Sequence, residues 1–278
     1  MDRRNFLKTA IAGAAVAQGQ GPQGVTKYVR FQRGSSTAYG ILDGDTIREL
    51  KGSIFGTYKE TGARHKLSEV KLLFPCQPPK ILAVGLNYKS HIGKGQTPAN
   101  PEIFYKPISA LLNPEDAIVI PKGAKNVHFE GELVAVIGKR VKNVSVAEAK
   151  AAIFGVTCGI DVSERDWQGG PQKDLQWWRA KGADTFAPLG PAIVRGIDYG
   201  KLLLQTRLNG EVMQKQYTSD LLFDCPTVVS FVSQYVTLTP GDVIYTGTPG
   251  ATRRMNPGDT LEVEIEGIGV LRHKIAAG

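Results

Sequence analysis

The chain has 278 residues, 42% hydrophobic and 22% charged, with 32 Gly and 16 Pro spread along it. That composition excludes wholesale disorder and a Gly-X-Y triple helix, and no apolar run reaches the roughly 18 residues of a membrane-spanning helix. The net charge is +8, but basic residues cluster no more than two together, as in Lys139-Arg140 and Arg253-Arg254. The charge therefore reads as a mixed solvated surface, and no nucleic-acid partner is expected.

Residues 1–17 read as an address. Arg3-Arg4 precede Phe6-Leu7-Lys8, a short apolar stretch follows from Thr9, and it closes on Ala15-Val16-Ala17. This is similar to a twin-arginine export signal with a small-x-small cleavage site, and it implies a periplasmic or exported protein without a stable membrane anchor. Cleavage after Ala17 would remove Asp2, Arg3, Arg4 and Lys8 and lower the net charge from +8 to +6. Residues 18–24, rich in Gln and Gly, read as a linker. The three cysteines show no C-x-x-C spacing. At least one must lack an intrachain partner, and neither a zinc site nor thiol catalysis is expected.

The segment 25–78 reads as a small N-terminal β domain. Asp43-Gly44 between apolar alternations predicts a hairpin, and Leu67–Leu73 reads as a short amphipathic helix or turn. Pro75, Pro78 and Pro79 mark a boundary before a main domain over 79–278. In that domain Lys80–Gly85 is expected as a buried strand. His128–Gly138 is expected as another, with Phe129, Gly131, Leu133 and Ala135 on one face and Glu130, Glu132, Val134 and Val136 on the other. Ser145 and Glu148 form a capping-box pattern that opens a helix expected to run through Phe154 and stop at Gly155. Asn209-Gly210 predicts a second hairpin within Leu202–Tyr217. Pro226–Val236 reads as an amphipathic helix, and Leu261–Ile265 as a strand with one solvated face. The sum is a β-rich α+β chain with no internal repeat.

Glu130-Gly131-Glu132 is the most informative tripeptide. Residues two apart in a strand share a face, so two carboxylates sit side by side unless the face is simply solvated. A hard divalent cation such as Mg²⁺ or Mn²⁺ would resolve their repulsion, because oxygen ligands suit it. Asp161 ends the apolar run Ile153–Ile160. It would either cap the turn that follows or supply a third carboxylate. Asn87-Tyr88-Lys89-Ser90-His91 follows the first strand of the main domain, and Thr246–Gly250 forms a turn whose backbone could approach a ligand. That turn lacks the spacing of a phosphate loop.

Six separated motifs then occur in order: Gly85-Leu86-Asn87-Tyr88 with His91; Phe104-Tyr105-Lys106-Pro107; Glu130-x-Glu132-Leu133; Asp161-Val162-Ser163-x-Arg165-Asp166-x-Gln168; Lys181 with Asp184-Thr185-Phe186; and Pro240-Gly241-Asp242 through Thr246-Gly247-Thr248-Pro249. Together they resemble the fumarylacetoacetate hydrolase family from about Lys27 to the C-terminus. The resemblance implies a mixed β-sandwich roll, a homodimer, and Mg²⁺ or Mn²⁺ bound by Glu130, Glu132 and Asp161. It implies that Lys181, Gln168 and Thr248 contact a 2-oxo acid, that Lys181 stabilises developing negative charge, and that His91 is the acid/base. A 2-oxo acid chelates a metal through its carboxylate and keto oxygens, and one enolate serves several reactions. The expectation is hydrolysis of a C–C bond of an acylpyruvate-type substrate. The alternatives are decarboxylation or isomerisation of an unsaturated dicarboxylic 2-oxo acid, and an exported, non-catalytic 2-oxo-acid binding protein. One departure motivates the last: hydrolytic members place a glutamate three residues after the histidine, where this chain has Lys94 between Gly93 and Gly95. Glu102 is the carboxylate expected to take its place.

Overall fold

The computed structural model describes residues 24–278; the expected export signal and residues 18–23 of the linker lie outside the described residues. Three sheets carry the fold. The main one has twelve strands: ten in the order 58–66, 46–52, 36–43, 26–33, 187–195, 153–160, 131–137, 243–245, 81–85 and 102–106, with 71–73 pairing strand 26–33 and 111–112 pairing strand 187–195 off this path. The strands of segment 25–78 therefore extend the same sheet as the rest, through the antiparallel pairing of Tyr28 with Ile193. A five-stranded sheet, ordered 211–217, 203–208, 260–265, 269–277 and 118–120, packs against it. Val127–His128 and Ser163–Glu164 make a third, short pair.

The core between the two large sheets is built by alternation. Leu133 and Ala135 of Gly131–Ile137 and Val156, Cys158 and Ile160 of Ile153–Ile160 face Leu204, Leu208, Leu261, Val263 and Leu271. Val134 and Val136 point the other way, into a cluster with Tyr28, Ile193 and Tyr245. The expected two faces of this strand are thus both buried, and the solvated-face reading of Glu130 and Glu132 is excluded. Cys76, Cys158 and Cys225 are all buried and unpaired.

Both hairpins form where the turn residues place them. Asn209 and Gly210 have φ of 54° and 83°, the two positive values that a two-residue turn of this kind requires. The helix Cys225–Tyr235 is capped by Asp224, with Pro226 in its first turn. The Ser145 capping box is present with both reciprocal bonds.

Three expectations are corrected. The capped helix ends at Ala152, not Phe154, and Ile153–Ile160 is already strand. A β-branched and an aromatic residue at 153–154 favour the sheet. Gly155 is not a helix stop; a Cβ there would lie 2.5 Å from the Val194 carbonyl oxygen, so it permits close approach of strand 187–195. The strand expected over His128–Gly138 breaks at Phe129–Glu130, with the His128 end pairing Ser163 instead. Of the helix and turn readings of Leu67–Leu73, the turn holds, as a single 3₁₀ turn over Leu67–Glu69, and the short strand Lys71–Leu73 follows it.

Candidate active site

Glu130 and Glu132 flank the first residue of strand Gly131–Ile137, and Asp161 follows the last residue of its neighbour Ile153–Ile160. The antiparallel register pairs Gly131 with Ile160, which brings the three carboxylates to one end of the strand pair. One oxygen of each lies within 4.8 Å of the others, and all three side chains are buried. Gly131 makes this possible, since a Cβ there would lie 2.1 Å from Thr206 Oγ1.

Buried charge of one sign needs compensation. Lys181, also buried, donates to Glu130 Oε2 at 2.7 Å and Asp161 Oδ2 at 2.5 Å. Lys106 donates to Asp161 Oδ1 at 2.5 Å and to the Lys181 carbonyl oxygen. Arg165 Nη2 meets Glu130 Oε1 at 2.6 Å. Burial works against the Glu130 carboxylate, but Lys181 and Arg165 outweigh it and hold its acid far below the usual range. Burial likewise opposes the Lys181 ammonium, yet Asp161 and Glu130 keep it above its ordinary value. Burial pushes Lys106 down.

Glu132 is the exception. Its hydrogen-bond donor among the described residues is the Gly247 N–H, 2.6 Å from Oε2. Gly247 holds a φ of 104°, and a Cβ there would lie 2.7 Å from the Asn87 Cβ. Burial, then Asp161 and Glu130, drive the Glu132 acid well above its usual range. The triad thus has three oxygen donors, deep burial and one carboxylate that forms no ion pair among the described residues, so these residues fit a hard divalent cation.

The remaining expected residues surround the triad. Thr248 Oγ1 donates to the Gly131 carbonyl at 2.9 Å and accepts from Gln214 Nε2 at 2.8 Å. Gln168 Oε1 accepts from Arg165 Nη1 at 2.7 Å, so it reaches the triad through Arg165. His91, in the single-turn helix Lys89–Ile92, places Nε2 3.9 Å from Glu130 Oε1. Its Nδ1 lies 2.7 Å from the Gly250 carbonyl oxygen. A carbonyl can only accept, so Nδ1 carries a proton, and Nε2 is the ring nitrogen that faces the carboxylates. This corrects the expectation for Glu102, which is exposed on the strand 102–106; Gly250 holds the ring. Gly93, with φ of 61°, ends the short helix, and Lys94 is exposed.

Lys106, Arg165, Gln214 and Asn87 were given no role from sequence, although three of them stand inside or beside the quoted motifs. Asn87 Nδ2 donates to the Thr246 and Phe223 carbonyls and so anchors the turn beneath Gly247. His128 joins Asn126 Oδ1 and Thr252 Oγ1, each at 2.9 Å, and Thr252 accepts from Arg165. Burial and the Arg165 charge push His128 down to about 4, so it is a neutral spacer. A cavity of about 940 Å³ borders the site at Phe104, whose ring lies 5.3 Å from Lys181 Nζ, and is also lined by Trp177 and Trp178.

Comparison with known proteins places this geometry in a family. Residues 80–276 match the model of the fumarylacetoacetate (FAA) hydrolase C-terminal family, and residues 26–75 match an Rv2993c-like N-terminal family. The chain is 42% identical over 221 residues to the mitochondrial oxaloacetate tautomerase FAHD2A of Bos taurus, covering 75% of this chain and 70% of that one. The crystal structure of a 2-hydroxyhepta-2,4-diene-1,7-dioate isomerase from Mycobacterium marinum superposes with a TM-score of 0.84 at 41% identity, over 91% of this chain and 98% of that one. A maleylpyruvate hydrolase from Sphingobium sp. SYK-6, in complex with manganese(II) and pyruvate, gives 0.75 at 29% identity over 91% and 99%. These relatives name three different reactions on one fold, so the fold alone does not choose among them. The sheet-rich α+β architecture and the match over most of its length agree: the chain belongs to the fumarylacetoacetate hydrolase family of enzymes.

Proposed function

We propose that this chain is a divalent-cation-dependent enzyme that acts on a small 2-oxo acid through its enolate, with Glu130, Glu132 and Asp161 holding Mg²⁺ or Mn²⁺. The observation that carries this reading is the buried cluster of Glu130, Glu132 and Asp161, in which Glu132 takes its hydrogen bond from a peptide N–H while Lys181 bonds the other two. When bound, such a cation accepts the carboxylate and keto oxygens of the 2-oxo acid and draws off the negative charge that develops on enolisation. Lys181 keeps Glu130 and Asp161 oriented and sets a positive charge where the substrate becomes more negative. Gln168 offers its amide Nε2–H to the substrate's polar groups, and Thr248, whose own proton goes to the Gly131 carbonyl, offers a remaining lone pair. His91 accepts a proton at Nε2, a role worth typically about 10²–10⁴-fold.

Keto–enol proton transfer is the reaction this site supports best. Among the described residues the partner of His91 Nδ1 is the Gly250 carbonyl, in place of the carboxylate expected of hydrolytic members. Enolisation needs only a proton moved beside the keto group, whereas hydrolysis also needs a water held and activated for attack. Similarity to an oxaloacetate tautomerase and to an isomerase supports the same choice. Hydrolysis of an acylpyruvate is the second reading, supported by the manganese- and pyruvate-bound hydrolase relative. Homodimeric assembly, export through residues 1–17 and a division at residues 78–79 are parts of the same proposal.

The test is a screen of the full chain with Mn²⁺ or Mg²⁺ against enol-oxaloacetate, acylpyruvates and unsaturated dicarboxylic 2-oxo acids. Optical and mass detection are read together. Loss of enol absorbance at constant mass is the expected result. Two fragments assign hydrolysis, and CO₂ release assigns decarboxylation. No turnover of any of them overturns the enzyme reading in favour of a binding protein.

A further inference from the structure

His91 is held by a residue that is itself held from the same helix. Gly250, with φ of 61°, donates its N–H to Ser90 Oγ at 3.0 Å and accepts from His91 Nδ1 at 2.7 Å through its carbonyl. Two adjacent side chains thus grip both main-chain polar groups of one glycine. The Ser90 hydroxyl has a single proton, and it donates that proton to Gln216 Oε1 at 2.6 Å. Gln216 in turn donates Nε2 to Asp220 Oδ2 at 3.0 Å. The donor and acceptor directions of Ser90 are both set. Two residues earlier on the strand 211–217, on the same face, Gln214 donates to Thr248 Oγ1 at 2.8 Å and to the Pro249 carbonyl at 2.5 Å. One strand therefore holds the Thr246–Gly250 turn directly through Gln214 and indirectly through Gln216 and Ser90.

A glycine carbonyl orients an imidazole only as well as the glycine is fixed. Left-handed glycine is conformationally permissive, and the residues after Gly250 run as irregular chain. The bond from Ser90 to the Gly250 N–H is the contact that stops this residue turning. We propose that Ser90 is a positioning residue, which acts through Gly250 to hold His91 with its Nδ1–H on the Gly250 carbonyl and Nε2 facing the triad. This inference rests on the proton-transfer role proposed for His91.

Two readouts on the full chain separate the two ideas. Ser90 is exposed, so Ser90→Ala and Ser90→Thr disturb no core packing. In ketonisation of enol-oxaloacetate with Mn²⁺, Ser90→Ala is expected to lower kcat about five- to tenfold with KM within about twofold, the size of one lost hydrogen bond. Ser90→Thr, which keeps the hydroxyl, is expected to restore most of it. In metal-free protein, at a pH high enough to make the ring neutral, the ¹⁵N resonances of His91, assigned by their loss in His91→Gln, should show the single ring proton on Nδ1. Ser90→Ala should show mixed tautomers. An unchanged His91 signature in Ser90→Ala, or a raised KM at constant kcat, overturns the positioning role. If the unsubstituted chain turns over no 2-oxo acid, the proposed function fails while the tautomer measurement still decides the role of Ser90.

Discussion

Gly131→Ala probes the joint between fold and site. A Cβ at residue 131 would lie 2.1 Å from Thr206 Oγ1 and 3.0 Å from Val263 Cγ2, where ordinary contact begins at 3.4 Å. Thr206 and Val263 are both fully buried in the five-stranded sheet, so neither can swing away. Relief requires strand 203–208 to move off strand 131–137. Overpacking of this kind costs about 1–3 kcal/mol. At about 2–4 °C per kcal/mol for a chain of this size, a 2 kcal/mol loss lowers Tm by about 4–8 °C. The same shift carries Glu130 and Glu132, which flank the glycine, and it loosens the Gly131 N–H bond to Gln214 Oε1, now 3.2 Å. A displacement near 1 Å at a reacting centre costs about 10²-fold in rate. The assay is thermal unfolding by circular dichroism with chelator present, alongside turnover with Mn²⁺. Gly56→Ala, whose Cβ meets nothing nearer than 3.8 Å, is the control. A Gly131→Ala protein with the Tm and turnover of the unsubstituted chain would show slack between the sheets and refute the claim that Gly131 sets the spacing of the two glutamates.

Lys106→Met removes a fully buried cation and leaves Asp161 leaning on Lys181 alone, a loss of about 3–5 kcal/mol in denaturant midpoint analysis. Added Mn²⁺ should restore more stability to this variant than it adds to the unsubstituted chain, because the freed negative charge favours cation binding. His91→Gln should lower kcat about 10²–10⁴-fold while the Mn²⁺ affinity, measured calorimetrically, stays within about twofold. His273 supplies a pH dependence away from the site. Burial pushes it down to about 4 from 6.5, and its Nε2 has no hydrogen-bond partner among the described residues. The unfolded chain therefore takes up a proton first, and the stabilisation present above pH 6.5 is lost as pH falls toward 4. The full loss is about 3 kcal/mol, and His273→Gln should flatten this part of the urea-midpoint profile between pH 7.5 and 4.5.

The fold was legible where local chemistry is decisive. Asn209-Gly210, Asp43-Gly44 and the Ser145–Glu148 box each produce the turn or cap their residues dictate. It was not legible at Ile153–Phe154, where a helix period and a strand composition overlap and only the pairing of Ile153 with Ile137 decides. The spacing of Glu130 and Glu132 was readable from strand period alone. Their burial was not, because it depends on Thr206, Gln214 and Val263, from a sheet formed much later in the chain. Lys106 had a faint signal, a lysine beside a proline inside a quoted motif, but its partner Asp161 is 55 residues away. Gly250 as the holder of His91 had none, since a backbone carbonyl is available at every residue and sequence names no particular one.

The account stands on Glu130, Glu132 and Asp161 forming a single cation site. Isothermal titration of Mn²⁺ into the full chain, run in two buffers of different ionisation enthalpy, tests this most directly. The account predicts one site per chain, proton release on binding as the raised Glu132 acid ionises, and loss of binding in Glu132→Gln. Equal affinity in Glu132→Gln, or no binding by the unsubstituted chain, would contradict it.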